Sequence, residues 1–195
     1  MKRLFIAFDI DDQLRRELSE RADRLRKELD GLVDAVRWLP PERYHMTAVF
    51  LGDTEETAVP GLREALLAPE LPGKMSTRLG SPLVFPKPRE PRVLVCALTE
   101  GVEPLKSLTE EIRQGIRGLG IDFDEKPFRP HITIGYLRKR PRQKQREIGE
   151  TWLRQLQQEE EGGRVSSLTL YESVLKPEGP RHTRLFRRSL EGGRE

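Results

Sequence analysis

This sequence is poor in the residues that carry thiol and metal chemistry, with one cysteine and three histidines among 195 residues. Cys96 cannot form an intramolecular disulfide, and its position in the apolar run 93–98 predicts a buried thiol rather than a nucleophile. His-x-His, His-Glu-x-x-His and Cys/His clusters are absent, as are glycine-rich phosphate-binding fingerprints. The sequence therefore predicts neither a metal nor a cofactor.

Long apolar runs are missing as well. The apolar segment 4–8 is short and is followed by Asp9, and no later stretch approaches the roughly 20 apolar residues of a membrane span. We therefore expect a soluble, cytoplasmic protein without a membrane partner. The net charge is +3, but residues 126–195 carry +7 and residues 1–125 carry −4. This bias suits a polyanionic partner such as a nucleic acid, or it marks an ordinary solvated face.

Hydrophobic periodicity predicts alternating strands and helices. Apolar residues from Leu14 to Leu29 and from Leu105 to Ile116 recur every three or four positions, as one face of a helix requires. Two further helices are predicted at 55–67 and 139–162. Strands are predicted at 3–8, 36–39, 46–51, 75–85, 92–99, 132–137, 165–175 and 182–190. The first and third helices each lead to a histidine after a similar spacing, which indicates a duplicated lobe.

Two of the three histidines begin His-x-Thr-x segments, which are His45-Met46-Thr47-Ala48 and His131-Ile132-Thr133-Ile134. With 10 threonines in the chain, this repetition arises by chance roughly once in a hundred sequences. Side chains two residues apart in a strand point to the same face, so each histidine shares a face with its threonine. The pattern predicts two neighbouring strands that present an imidazole and a hydroxyl each to a common cleft, with the intervening apolar residues buried.

Such a cleft can cleave a phosphodiester without a metal. Two imidazoles with pKa values near ~6.5 can share one proton around neutral pH, so that one acts as base and the other as acid. The threonine hydroxyls can donate hydrogen bonds to the non-bridging phosphoryl oxygens. Ordinary half-buried strand residues are the alternative for either segment alone, whereas the matched pair favours function. No Asp or Glu lies beside either segment at a typical metal-ligand spacing.

At these residues the chain resembles the 2H phosphoesterase superfamily, specifically the RNA 2′,3′-cyclic phosphodiesterases that are also called bacterial and archaeal 2′-5′ RNA ligases. The resemblance runs nearly end to end. It is carried by RLFIA at 3–7, VRWLPPERYHMT at 36–47, FLG at 50–52, the segment 85–94 and FRPHIT at 128–133.

The resemblance implies an α+β fold and a single bilobal domain, residues 1–195, with two antiparallel sheets facing a V-shaped cleft and helices outside. It implies hydrolysis of a terminal 2′,3′-cyclic phosphate, on RNA or on a nucleotide, to a 2′-phosphate. By analogy His45 is the acid and His131 the base, and Thr47 and Thr133 bind the substrate. We expect a monomer.

One position departs from the family pattern, because many relatives carry an arginine five residues after the second histidine, where this chain has Tyr136. Tyr136 and Arg129 are the further substrate-binding candidates. Strand alternation places Arg129 on the face of His131 and Arg138 on the other face, provided that the strand is regular across Pro130. An ordinary surface arginine is the alternative for Arg129.

Other residues have weaker indications. His182 lacks the threonine offset and is interpreted as a strand or rim residue. Phe85 and Tyr44 could stack on a base, with a core role as the alternative for Phe85. The basic turn near Arg89 and Arg92 could guide RNA across the cleft mouth.

Three alternative functions stay open. The first is ligation to a 2′-5′ linkage, the microscopic reverse with an RNA hydroxyl in place of water, although water at ~55 M favours hydrolysis. The second is action on a different cyclic or diester substrate. The third is an RNA-binding module without turnover, and two intact His–Thr pairs argue against it.

Overall fold

The structure is a computed structural model that describes residues 1–71, 73, 75–155, 162–176 and 179–190. Within these ranges nine strands form two antiparallel sheets, and four α-helices pack outside them. The predicted α+β class with two antiparallel sheets is thus confirmed. In the same part of the chain, no helix combines the length and the apolar character that crossing a membrane requires.

The first sheet, called sheet I, has five strands. They are β1 (Lys2–Ile10), β3 (His45–Thr54), β4 (Met75–Thr77), β8 (Gly163–Val174) and β9 (Arg181–Ser189). Strand β1 lies between β3 and β8, and the far edge of β8 pairs with β4 at its start and with β9 along the rest. The first strand of the chain therefore lies beside β8, which separates it from the last strand, β9.

The second sheet, called sheet II, has four strands in the order β2-β7-β6-β5. They are β2 (Val36–Trp38), β5 (Leu79–Lys87), β6 (Glu90–Leu98) and β7 (His131–Leu137). The pairing of β5 with β6 confirms the predicted strand pair, but the predicted strand 75–85 is divided. Its first three residues form β4 and pair with β8 in sheet I, because a break at Arg78 lets the chain change sheets.

The helices lie on the outer sides of the sheets. They are α1 (Asp12–Glu28), α2 (Val59–Leu67), α3 (Val102–Gly118) and α4 (Arg142–Leu153). Helix α4 packs against β5 and β6, α2 packs against α3 and β9, and α3 contacts β3. The predicted helix at 55–67 begins later, because a short 3-10 turn precedes α2. The predicted helix 139–162 is α4, which ends at Leu153; residues 156–161 lie outside the described ranges.

Helix α1 forms where the sequence predicts it. The Asp11 carboxylate accepts a hydrogen bond from the Leu14 amide at 3.0 Å and so caps the first turn. Leu14, Leu18, Ala22 and Leu25 are completely buried, as the apolar stripe requires.

A buried arginine fastens α1 to sheet II. Arg21 is 2% exposed, and its Nη1 donates a hydrogen bond to the Gly80 carbonyl at 2.5 Å. The same nitrogen lies 3.1 Å from the Sγ of Cys96, which is fully buried as predicted. Backbone and thiol acceptors of sheet II thus help to offset the cost of burying this guanidinium.

Each histidine strand contains an extra residue three positions after its histidine, and β3 has a second one at Leu51. In β3, Thr47 pairs with Ala7 and Val49 with Ile6, so Ala48 has no partner on β1. In β7, Thr133 pairs with Val95 and Gly135 with Leu94, which leaves Ile134 without a partner on β6. A bulge reverses the alternation of side chains beyond it. Both strands therefore begin with the same order of half-buried and buried residues. Phe50 and Tyr136, each the fifth residue after its histidine, lie on the same face as that histidine.

Candidate active site

The two predicted histidines stand at the first residues of β3 and β7, and each is held by a backbone carbonyl two residues before it. His45 Nδ1 lies 2.8 Å from the Arg43 oxygen, and His131 Nδ1 lies 2.5 Å from the Arg129 oxygen. Because a carbonyl only accepts, Nδ1 must carry the hydrogen in both rings. In the neutral ring, Nε2 is then the nitrogen that can accept a proton.

The structure brings both His-x-Thr pairs into one cavity. His45, Thr47, His131 and Thr133 all line it, and its volume is about 250 Å³. The intervening Met46 and Ala48, like Ile132 and Ile134, are buried on the opposite face. The predicted juxtaposition of two imidazoles and two hydroxyls is therefore present in the fold, although each pair comes from a different sheet.

Burial dominates the electrostatics of both imidazoles. Burial lowers the pKa of His45, and the neighbouring His131 lowers it further. The Arg43 carbonyl and the Asp9 carboxylate favour the charged ring and so oppose this shift. Burial also lowers the pKa of His131, again against its backbone carbonyl. Each ring is thus poised to be neutral at a lower pH than an ordinary histidine.

Aromatic rings wall the histidines. The Phe5 ring lies 5.3 Å from His45, and the Phe85 ring meets His131 edge-on at 4.9 Å between centroids. Phe85 is half-buried, so the sequence-based option of base stacking stays a prediction. The corresponding option is wrong for Tyr44, because that residue is only 2% exposed and packs in the core.

His182 lies deeper in the site than its interpretation as a rim residue implied. It stands on β9 opposite Ser173, lines the same cavity, and meets the His45 ring edge-on at 5.6 Å. Burial, together with the charges of His45 and Arg43, lowers its pKa to about 4. Its ring is therefore neutral at neutral pH. The sequence signal was weak because His182 reaches His45 only through the β1–β8–β9 pairing.

Tyr136 does line the cavity, and the bulge at Ile134 is the reason. Its counterpart after the first histidine is Phe50, which also lines the cavity. An arginine covers each ring: Arg3 Cζ lies 4.8 Å from the Phe50 centroid, and Arg37 Cζ lies 4.8 Å from the Tyr136 centroid. The two sheets thus repeat the aromatic residue and its arginine as well as the His–Thr pair.

The strand alternation that was expected to place Arg129 on the face of His131 does not apply in the structure. Strand β7 begins at His131, so no regular strand crosses Pro130 and the condition for that argument is not met. The exposed Arg129 side chain lines a neighbouring groove with Lys126 and Arg113, and its carbonyl contacts the His131 ring. Two other arginines line the cavity itself, and no pattern in the sequence indicated them.

Those two arginines are Arg3 on β1 and Arg43, which precedes β3. Arg43 Nη1 donates to the Pro180 carbonyl at 3.3 Å, and Arg3 packs on Phe50. Among the described residues neither one forms an ion pair with a carboxylate. No group of three or more metal-ligating side chains converges anywhere in the described ranges.

Comparison with known proteins decides the family. The model of the 2′-5′ RNA ligase superfamily matches residues 11–176, which include both His-x-Thr segments. The chain belongs to the 2′-5′ RNA ligase superfamily. The resemblance to the 2H phosphoesterases that the sequence showed is thereby confirmed, and the protein is an enzyme of this superfamily.

Relatives in other organisms align along almost their whole length. A Thermotoga maritima protein named RNA 2′,3′-cyclic phosphodiesterase is 30% identical over 193 residues, covering 98% of this chain and 97% of the relative. A protein of the same name from Archaeoglobus fulgidus is 33% identical over 181 residues, covering 91% and 94%.

Solved structures share the fold of the superfamily. A crystal structure of a Thermus thermophilus protein superposes with a TM-score of 0.77 at 25% identity, covering 98% of this chain and all (100%) of the other. Escherichia coli LigT without ligand superposes with a TM-score of 0.71 at 20% identity, covering 96% of each chain. The arrangement of two facing antiparallel sheets with outer helices is therefore that of the superfamily.

Proposed function

We propose that this enzyme hydrolyses the terminal 2′,3′-cyclic phosphate of RNA or of a nucleotide to a 2′-phosphate by two-histidine acid–base catalysis. One observation carries the proposal: two imidazoles, each fixed through Nδ1 by a carbonyl, share a single cavity with two threonine hydroxyls. The names of the Thermotoga maritima and Archaeoglobus fulgidus relatives support this substrate class.

The proposed reaction is an in-line displacement at phosphorus. Neutral His131 takes a proton from water, whose oxygen forms a bond to phosphorus as the bond from phosphorus to the 3′ oxygen breaks. Protonated His45 gives its proton to the leaving 3′ oxygen, so the products are a 2′-phosphate and a 3′-hydroxyl. The enzyme is left with a charged His131 and a neutral His45, and proton exchange with solvent restores it. Thr47 and Thr133 donate hydrogen bonds to the non-bridging oxygens.

Arg3 and Arg43 are proposed to provide the positive charge that many relatives place after the second histidine. Both line the cavity, and the charge of Arg43 already lowers the pKa of the neighbouring His182. Tyr136 occupies the family position and is proposed to shape the substrate pocket rather than to neutralise phosphate. Arg129, which is exposed in the adjoining groove, is proposed to act on a longer RNA rather than on the reacting phosphate.

The test is incubation with 2′,3′-cyclic AMP in EDTA, followed by product analysis. We expect turnover in EDTA, because every step uses side chains of this chain, and a 2′-monophosphate as the product, because the 3′ oxygen leaves. His45→Ala and His131→Ala should each lower turnover on the order of 10²–10⁴-fold, and Thr47→Ala and Thr133→Ala on the order of 10²-fold. A matched control is Arg142→Ala on the outer helix α4, which should keep full activity. A 3′-monophosphate, or normal turnover without His45, would refute the mechanism.

Ligation is the second candidate, because the matching family model is named for it. The same four side chains serve the reverse reaction when a 5′-hydroxyl of RNA replaces water. An oriented RNA hydroxyl must overcome water at ~55 M, so we expect hydrolysis to dominate unless two RNA ends are bound together. Incubating RNA with a cyclic phosphate end and RNA with a 5′-hydroxyl end, and separating ligated from hydrolysed product, measures the ratio directly.

A further inference from the structure

A second cavity adjoins the catalytic one and is not used by the chemistry described above. Its volume is about 720 Å³, against about 250 Å³ for the catalytic cavity. The two cavities share Arg43, His45 and His182 in their walls, so they lie side by side at these three residues. A single terminal nucleotide held at the histidines would leave this larger space unfilled.

The floor of the second cavity is the continuation of the histidine face of sheet I. On β8, Thr169 and Tyr171 pair with Arg187 and Arg184 of β9, and Ser173 pairs with His182. A register shift at Leu185 separates Arg184 from Arg187 by three residues yet keeps both in the cavity wall. The sheet therefore presents two arginines in a row that begins at His182, where the two cavities meet.

Carboxylates also line this cavity, but hydrogen bonds within the protein occupy them. Asp9 accepts from the hydroxyls of Ser167 at 2.8 Å, Thr169 at 2.7 Å and Tyr171 at 2.9 Å. Asp11 accepts from the amides of Leu14 and Arg164. These oxygens are thus directed at protein donors rather than at the cavity.

The wall contains five arginines and four carboxylates, so with neutral histidines its formal surplus is one positive charge. Arg15 forms an ion pair with Asp12, which leaves Glu42 as the unengaged carboxylate of this wall among the described residues. Arg181 and Arg184 form no ion pair in the described part of the chain, and both line the cavity. Arg187 donates Nε to the Ser167 hydroxyl at 2.9 Å, an arrangement that keeps its two terminal nitrogens available.

We propose that this second cavity binds the phosphodiester of the nucleotide immediately 5′ of the cyclic end, through Arg184 and Arg187. The inference rests on the proposed function, because it takes the cyclic phosphate to lie at His45 and His131. Guanidinium groups hold phosphate oxygens by bidentate, charge-assisted hydrogen bonds. The substrate class is then an RNA end of at least two nucleotides, and a cyclic mononucleotide is a truncated substrate.

The basic turn near Arg89, which the sequence suggested as an RNA guide, lies elsewhere. Arg89 lines a separate groove with Lys87, Arg142 and Arg146, and neither catalytic histidine is in its wall. Three basic surfaces therefore compete as the RNA path. The second cavity and the Arg129 groove each have a catalytic histidine in their wall, whereas the Arg89 groove has none. Arg89→Ala is accordingly a matched control for the β9 arginines.

The test compares kcat/KM for a dinucleotide with a 2′,3′-cyclic phosphate end and for 2′,3′-cyclic AMP. We expect the native enzyme to prefer the dinucleotide roughly tenfold or more, and Arg184→Ala and Arg187→Ala each to lower this preference roughly tenfold, the usual worth of one hydrogen bond to a charged group. Arg184→Lys should recover part of it, and Arg89→Ala should leave it unchanged. The preference should also weaken with added salt in the native enzyme and less so in the variants.

The outcomes separate this inference from the function on which it rests. Equal kcat/KM values for the two substrates in the native enzyme, or a loss of preference in Arg89→Ala alone, would overturn it. Should the native enzyme hydrolyse neither substrate, the proposed function fails instead. The cavity is then judged by binding: a dinucleotide with a 3′-phosphate must bind roughly tenfold more tightly than 3′-AMP, and Arg184→Ala must remove that difference.

Discussion

At the residue scale, the two histidines differ from ordinary strand histidines in how their rings are held. A carbonyl two residues before each ring fixes Nδ1 as the donor, so Nε2 is the proton-accepting nitrogen of both neutral rings. Burial lowers both pKa values, while bound phosphate would raise them again by favouring the imidazolium. The free enzyme and its complex therefore have different proton affinities at the same two atoms.

This difference predicts two distinct pH profiles. The profile of kcat/KM reports the free enzyme, and both of its limbs should lie at lower pH than an ordinary histidine pKa of about 6.5 would place them. The profile of kcat reports the complex and should lie at higher pH than the profile of kcat/KM. The limbs report the coupled pair rather than single residues. His131→Ala should flatten the acidic limb if His131 is the base, and His45→Ala the alkaline limb if His45 is the acid. Loss of the acidic limb in His45→Ala would mean that His45 is the base and His131 the acid. A monotonic profile of the native enzyme would contradict the two-histidine mechanism.

At the scale of the element, the bulges in β3 and β7 decide which side chains line the cavity. Without them, strict alternation would turn Phe50 and Tyr136 away from the histidines. Strand β2 can pack beside the bulge of β7 only because residue 135 is glycine: an added Cβ would lie 2.8 Å from Val36 Cγ1 and 3.2 Å from the Arg37 oxygen. This close approach also brings Arg37 over Tyr136.

Gly135→Ala should therefore displace β2. We expect the free energy of unfolding to fall by about 1–3 kcal/mol, the usual cost of overpacking, because neither a branched valine nor a backbone oxygen gives way easily. The control is Gly118→Ala at the end of α3, where an added Cβ meets nothing within 4 Å and the change should be neutral or stabilising by up to ~1 kcal/mol. Urea unfolding measures both. A Gly135→Ala protein as stable as the native one would show that β2 tolerates the extra carbon.

At the scale of the whole molecule, the site exists only when distant parts of the chain have closed on one another. His45 and His182 are in contact, yet their strands join only through β1 and β8. Burial, with the charges of His45 and Arg43, holds the pKa of His182 at about 4 in this closed state. The unfolded chain would bind a proton with a pKa of about 6.5. At pH values between these two pKa values, folding therefore releases a proton from His182.

The sign of this linkage gives a stability prediction. Between about pH 6.5 and pH 4 the unfolded chain binds more protons than the folded one, so stability falls as the pH is lowered through this window. His182→Gln should reduce the loss between about pH 7 and pH 5 by about 1 kcal/mol, a value discounted for partial exposure. Urea unfolding at the two pH values measures it, with Arg142→Ala as the control that should keep the native pH dependence. An unchanged dependence in His182→Gln would mean that the ring binds protons equally well in the folded and the unfolded protein.

The sequence by itself determined the features that repeat at short range. The stripes of α1 and α3 and the two His-x-Thr segments follow from helical and strand periodicity, and the resemblance at those segments identified the superfamily. Only the tertiary structure decided which other side chains meet them. Arg3 and His182 enter the cavity through pairings between distant strands, and a bulge rather than alternation turns Tyr136 towards it. Local periodicity cannot encode these contacts, because a register shift or a pairing partner depends on packing against residues far away in the chain.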